Sequence, residues 1–383
     1  MWQTIWLTGI LLFCAALPTH AQLGKSVPIK AGTSEDRALS EINATTDPAK
    51  KLALIDQFAA QLGKGDLVIV ADDLYVNYYI SVKNYDKAFE YGEKLWALDP
   101  DNFGNGVNLV RGAQEKGDIE KLFLYGETIG AILQRFKAKP APEGMSASAW
   151  EREKAQVLED LRDNRNYVEQ SLFIAAYHRP DAAARAGYLL RFAAAFPDSP
   201  SAVQAQEVAA TAYQQAQNYP RMLEVANKLL EKDPNDRAML ILLADYYSEK
   251  GEHLDKAEAS ASKAIELIGT AKKPEGVTDE QWTQQTALEK GLALSALGQV
   301  NIVNKKNAQA VENLKAAAPL LKSNPATYGR NQYRLGFALL NLKRIPEAKA
   351  ALSEAASMAN PYQALAQEKL KSVAAAKPVR KKR

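Results

Sequence analysis

Cysteine is nearly absent from this chain of 383 residues: Cys14 is the only one, and it lies in an apolar leader. A body without cysteine has no disulfides, no zinc-thiolate site and no cysteine nucleophile. Histidine is almost as scarce, with three in all. His20 belongs to the leader, while His178 and His253 stand far apart at expected helix ends. No metal ligand set or catalytic histidine is expected from them, and no cofactor is called for. An excess of one charge is also missing. The formal net charge is +3, and the last seven residues hold Lys377, Arg380, Lys381, Lys382 and Arg383; taking away these five leaves −2 for the rest. A body so balanced argues against broad nucleic-acid binding.

Motifs of chemistry are lacking too. Gly24-Lys25-Ser26 looks like the end of a phosphate loop, but Thr19 stands where such a loop needs glycine. No nucleophile elbow or His-Glu-x-x-His helix occurs. Asp72 and Asp73 are adjacent in sequence and so point to different faces of a helix, unlike two carboxylates converging on one bond. No catalytic residue is assigned, and an enzyme is not expected. Asn43-Ala44-Thr45 is a glycosylation sequon by pattern alone.

The longest apolar run of the leader, Ile5 to Leu17, is too short to cross a bilayer comfortably. It ends in Thr19-His20-Ala21, small residues where a signal peptidase reads, so residues 1–21 are expected to be a signal peptide cut before Gln22. Export to the periplasm or beyond follows, with no integral span in the mature chain. Met1-Trp2-Gln3-Thr4 lacks the usual basic residue, which leaves an uncleaved anchor as the alternative. Phe13 before Cys14 is too bulky for a lipoprotein signal.

What the chain does have is repetition. Phe58 recurs as Phe192, Tyr79 as Tyr213, Asn84-Tyr85 as Asn218-Tyr219, Asp99-Pro100 as Asp233-Pro234, and Glu115-Lys116-Gly117 as Glu249-Lys250-Gly251, all at an offset of 134. The connecting Pro140, Glu143-Gly144 and Trp150 have counterparts in Pro274, Glu275-Gly276 and Trp282. Within each copy runs a shorter period near the roughly 34 residues of a helical hairpin. Tyr75, Tyr78, Tyr79 and Val82 lie three and four apart on one stripe. A polar turn follows, then a second stripe through Ala88, Tyr91, Leu95 and Leu98, stopped at Pro100. Tyr79 and Tyr213 are both expected to be buried within their hairpins.

This layout resembles the tetratricopeptide repeat. The unit 203–236 places Ala209, Ala210, Tyr213, Tyr219, Ala226, Leu229 and Pro234 at the corresponding positions. Units 237–268 and 329–361 match through Leu243, Ala244, Tyr247, Gly251, Ala257 and Ala261, and through Leu335, Gly336, Ala348, Leu352 and Pro361. Residues 103–136 have Leu122 where the family prefers alanine, and 147–196 and 279–322 each open with a long helix. The fold class is therefore all-α, a right-handed α-solenoid of about seven hairpins with an internal duplication. Residues 22–45 are expected to be a flexible segment, 46–178 the first copy, 179–322 the second, 323–375 the last hairpin and capping helix, and 376–383 a basic tail.

The resemblance implies a working surface on the first helices of the hairpins, which line a concave groove. Candidate partner-binding residues there are Asn77, Asn108 and Arg111 in the first copy and Arg330, Arg334 and Phe337 near the end. Asp73 stands where a carboxylate clamp of this family needs lysine. Arg330 and Arg334 are expected to project together into the groove beside Asn331, with Glu347 and Glu354 as competing partners. The expected function is an exported scaffold for a protein or peptide partner, in an envelope or periplasmic assembly; the alternative is a non-enzymatic binder of an envelope polymer such as a glycan. Ordinary aromatic content, 8%, with most tyrosines on core stripes, favours protein.

Overall fold

The computed structural model describes residues 23–375; the expected signal peptide and the basic tail 376–383 lie outside them. Among the described residues the chain forms eighteen α-helices and no strand. They pair along the chain as α1 (Ser34–Ala44) with α2 (Pro48–Gln61), α3 (Leu67–Ser81) with α4 (Tyr85–Leu98), and α5 (Phe103–Lys116) with α6 (Ile119–Ala138). After α7 (Ala147–Asp160), α8 (Arg162–Tyr177) packs on α9 (Ala182–Ala195). There follow α10 (Ala202–Gln215), α11 (Tyr219–Lys232), α12 (Arg237–Lys250) with α13 (Leu254–Thr270), α14 (Asp279–Val303) with α15 (Asn307–Leu321), α16 (Pro325–Asn341) with α17 (Ile345–Ser357), and α18 (Gln363–Ala375). No described helix is long and apolar enough to cross a membrane.

Short side chains at the starts and left-handed residues at the turns set these boundaries. Asp47, Asn84, Asn102, Asp118, Asp181, Asn218 and Asp236 each accept a hydrogen bond from a backbone N–H of the first turn, removing an orphan donor. Gly117 and Gly251 end α5 and α12 at φ 73° and 69°, a conformation glycine adopts without a Cβ clash. Their repetition extends to Lys83 and Gln217, which turn at φ 59° and 57°. Helices α2 and α9, α4 and α11, and α5 and α12 have the same lengths and begin 134 residues apart.

Packing divides the chain between Ala205 and Gln206, inside α10. In the first unit, Ile42, Ile55, Phe58, Ala71 and Tyr75 form a buried cluster at the N-terminal end, and Trp150 packs on Phe136 while its indole N–H donates to Lys139 O at 2.7 Å. In the second, Val311, Leu314, Leu335 and Leu339 pack with alanines at the helix crossings, and α18 closes the series by seating Ala366 against Leu352 and Ala355. Side chains one repeat apart are tied as well: Tyr85 donates to Glu115 at 2.6 Å, Tyr125 to Glu93 at 2.8 Å, and Lys315 pairs with Glu347 at 3.0 Å.

Three expectations need correction. Residues 34–44 are helical, capped by Thr33 and held by Ile42, whose stripe with Ala38 and Leu39 packs on α2; the backbone before them is tied by Lys25 N donating to Asp99 at 2.9 Å. The long helix expected to open 147–196 is two helices, broken at Leu161. Tyr79 is only half-buried, whereas Tyr213 is 7% exposed. Tyr75 takes the interior place in α3, stacking on Tyr91 at 4.2 Å and donating to Asp56 at 2.7 Å, and Tyr79 lies outside it.

Candidate functional site

In the first unit the first helices α3, α5 and α8 carry a continuous polar row. Asp73 and Asn77 are one turn apart on α3, so the Asn77 amide donates to Asp73 O at 2.9 Å and to its carboxylate at 3.0 Å. Asn108 on α5 donates to Asn77 Oδ1 at 3.0 Å. Residues 108, 111 and 114 share one side of α5, and Gln114 Oε1 accepts from Tyr167 at 2.7 Å and from Ser171 at 3.1 Å, both on α8. Arg111 is exposed, forms no ion pair among the described residues, and holds its guanidinium 5.8 Å from the Tyr167 ring. Asp73 has its carboxyl pushed up by burial, an effect reduced by the Asn77 hydrogen bond. The row brings together the first-copy candidates Asn77, Asn108 and Arg111, and adds Gln114, Tyr167 and Ser171. The three-residue spacing on α5 could have revealed Gln114; Tyr167 was hidden by the unrecognised break at Leu161.

Further along α8 the same side becomes apolar. Ile174, one turn beyond Ser171, is 54% exposed. Beside it Asn166, Gln170, Phe173, Ser199 and Ser201 line a shallow depression.

The second unit treats its candidates differently. Arg330 and Arg334 do share a side of α16, but neither projects free, and neither pairs with Glu347 or Glu354. Arg330 donates to Asp245 at 2.9 Å, and Arg334 to Asp245 at 3.4 Å, to Glu249, and to Ser295 Oγ and O at 2.9 and 3.1 Å. Arg334 is 2% exposed. Burial pushes the Asp245 carboxyl up, but Arg330 and Arg334 outweigh it and hold the group below its usual value. Glu249 also accepts from Tyr362 at 2.8 Å, just before α18; burial first and then Glu249 push that phenol up to about 12. Asn331 is fully buried and donates to Leu314 O at 2.9 Å, while Phe337 is half-buried under Lys369 Nζ at 5.4 Å. Glu354 belongs instead to Tyr328 and Gln332. These arginines lock α12, α14 and α16 together.

A second acidic cluster in that unit is titratable. Glu207 lies with Asp236 and Glu289, and burial, followed by those two carboxylates, pushes it up to about 7, against the opposing charge of Arg237. A raised carboxyl contributes stability that is complete below its unfolded value, 4.5, and is lost as pH rises through about 7. Glu207→Gln should therefore melt higher than the parent at pH 8, with the two converging near pH 5; a difference that grows on acidification instead would contradict this environment. Among the described residues no group of three or more His, Cys, Asp or Glu side chains is arranged to hold a metal ion.

Helices α10 to α13 begin at Ala202, Tyr219, Arg237 and Leu254, so one hairpin is completed about every 35 residues. These helices carry the fully buried Ala209, Ala226, Ala257 and Ala261. The fold is a tetratricopeptide-like helical repeat. No protein-family model matches the chain, and no curated protein matches it either. Among solved structures it is similar to the APC/C hetero-tetramer Cut9-Hcn1, at 15% identity and TM-score 0.37 over 88% of this chain and 62% of that one. The repeat chain thus spans less than two thirds of that protein's length. It is also similar to yeast Tom70, at 12% identity and TM-score 0.31 over 89% of this chain and 94% of that one. A third likeness is to the TPR2AB domain of yeast Sti1 in its pHSP90 complex, at 15% identity and TM-score 0.24 over 74% and 99%.

Proposed function

We propose that the protein is an exported interaction scaffold that holds an extended segment of a protein partner along the α3, α5 and α8 row of its first unit. The observation that carries this reading is Arg111: an exposed, unpaired guanidinium set in a hydrogen-bonded frame of Asn77, Asn108, Gln114 and Tyr167. Its donors suit a carboxylate or backbone carbonyl of the partner. Ile174, two turns beyond Tyr167, offers an apolar contact for a neighbouring partner side chain. A rigid scaffold with both kinds of anchor binds with little ordering cost. Arg330 and Arg334, by contrast, spend their donors inside the second unit, so the partner surface is assigned to the first. Export rests on the leader alone.

The test is capture from the envelope fraction with parent and an Arg111→Glu, Ile174→Ser variant. A chain retained by the parent should be lost by about tenfold or more, as for an interface anchor, with melting unchanged. Equal capture by the variant would sink the assignment, and loss of glycan rather than protein would move the function to polymer binding. Protein recovered from cells should begin at Gln22; an intact leader on all of it would remove export by cleavage.

A further inference from the structure

In the second unit the turn between α14 and α15 and the turn between α16 and α17 lie side by side, joined by Asn341 donating to Asn307 Oδ1 at 2.9 Å. Both are built alike, with a lysine at positive φ at the bend: Lys305 at 62° and Lys343 at 59°. Lys306 follows the first. All three ammonium groups are exposed and make no ion pair among the described residues. The one acid of these turns is already taken, since Glu347 accepts from Arg344 at 2.7 and 2.8 Å and pairs with Lys315 at 3.0 Å. Those partners hold the Glu347 carboxyl down to about 2, so it stays committed to them through the physiological range. The neighbouring turn, where Val303 lies against Gly251, adds Lys250, which sits over the Tyr219 ring, and two exposed acids, Glu252 and Asp255.

The lysines do not stand alone. Val303, Leu342 and Ile345 flank them at 38%, 36% and 39% exposure, and are three of the four exposed large hydrophobic residues described in this unit. Isolated apolar side chains on a surface need no explanation. Three aliphatic ones gathered with three unpaired lysines on one edge make a different surface: cationic where phosphate would lie and greasy where acyl chains begin. Nucleic acid uses the charge but has nothing for aliphatic tips, and the Tyr219 ring at the neighbouring turn is already covered by Lys250. A bilayer rich in anionic lipid uses both.

We infer that this edge is a docking surface for an anionic phospholipid membrane, which the protein meets peripherally through Lys305, Lys306 and Lys343 with Val303, Leu342 and Ile345 at the headgroup boundary. The inference is independent of the partner row in the first unit.

Co-sedimentation of the full chain with vesicles tests it, comparing phosphatidylcholine alone with phosphatidylcholine containing phosphatidylglycerol. Each lysine near such a surface contributes about fivefold to partition. Lys305→Gln, Lys306→Gln and Lys343→Gln together should therefore cut the anionic-vesicle affinity about 100-fold, at unchanged melting. A Leu342→Ser, Ile345→Ser variant should lose several-fold, and raised salt should weaken the parent as the charges are screened. The leader and the basic tail are common to parent and variants, so a triple variant that binds like the parent would assign binding to those segments and overturn the inference. So would a parent that prefers neither vesicle, or one whose binding is competed equally by soluble polyglutamate, which would mark an acidic polymer as the partner.

Discussion

Arg334→Ala should destabilise the second unit by about 3 to 5 kcal/mol, the usual result of removing one partner from a buried ion pair. The cost comes from what is left behind. Ser295 loses donors to both its hydroxyl and its carbonyl, Glu249 keeps Tyr362, and Asp245 must rely on Arg330. A unit of this size shifts its midpoint by about 2 to 4 °C per kcal/mol, so a fall of roughly 10 °C is expected. Arg334→Lys should recover only part of it, because one ammonium cannot reach Ser295 and two carboxylates in the directions a planar guanidinium spans. The contribution also has a pH sign. Asp245 is held below its usual 3.8, so its share is present above that value and lost as pH falls through its lower folded value. Melting indistinguishable from the parent at pH 7 would show that the network does not hold the unit.

The same residues show how far sequence reasoning reaches. Local rules were enough for the hairpins: stripes three and four apart, asparagine and aspartate caps, glycine at the left-handed ends and proline stops each act within one or two turns. The seven or so hairpins expected correspond to the pairs from α3 to α17, counting α10 with α11 and setting α7 aside. Arg330 and Arg334 were rightly placed on one side of a first helix, but their partners lie 85 and 89 residues away on α12. Periodicity assigns a side chain to a face; it does not say whether the next helix, α17, or an earlier one, α12, supplies the opposite charge. The polar row of α3 and α5 was legible because Asn77 and Asn108 are polar residues on the exposed sides of first helices. Its continuation to Tyr167 was not, since α7 inserts an additional helix that shifts the register. Helix α1 was missed for a simpler reason: a short amphipathic segment earns its helicity from packing on α2 rather than from propensity.

The duplication sets up a direct comparison between equivalent tyrosines. Tyr213→Ala should cost about 3 to 5 kcal/mol, as for a large aromatic lost from a packed interior. Tyr79→Ala, at the equivalent position 134 residues earlier, should cost clearly less. The reason lies one turn upstream: where the second copy has Ala209, fully buried and small, the first has Tyr75. Ala209 leaves room within the hairpin for the Tyr213 ring. Tyr75 and Tyr91 fill the corresponding space with rings 4.2 Å apart, so Tyr79 stacks outside them, 5.6 Å from Tyr91, and keeps part of its surface in water. The interior role in the first copy has passed to Tyr75, which is 8% exposed and also bonds Asp56. Tyr75→Ala should accordingly cost at least as much as Tyr213→Ala, since it also loses that hydrogen bond. Thermal melting of the three single variants decides the matter: a Tyr79→Ala loss equal to that of Tyr213→Ala would mean that both copies pack alike and that Tyr75 has not displaced its neighbour.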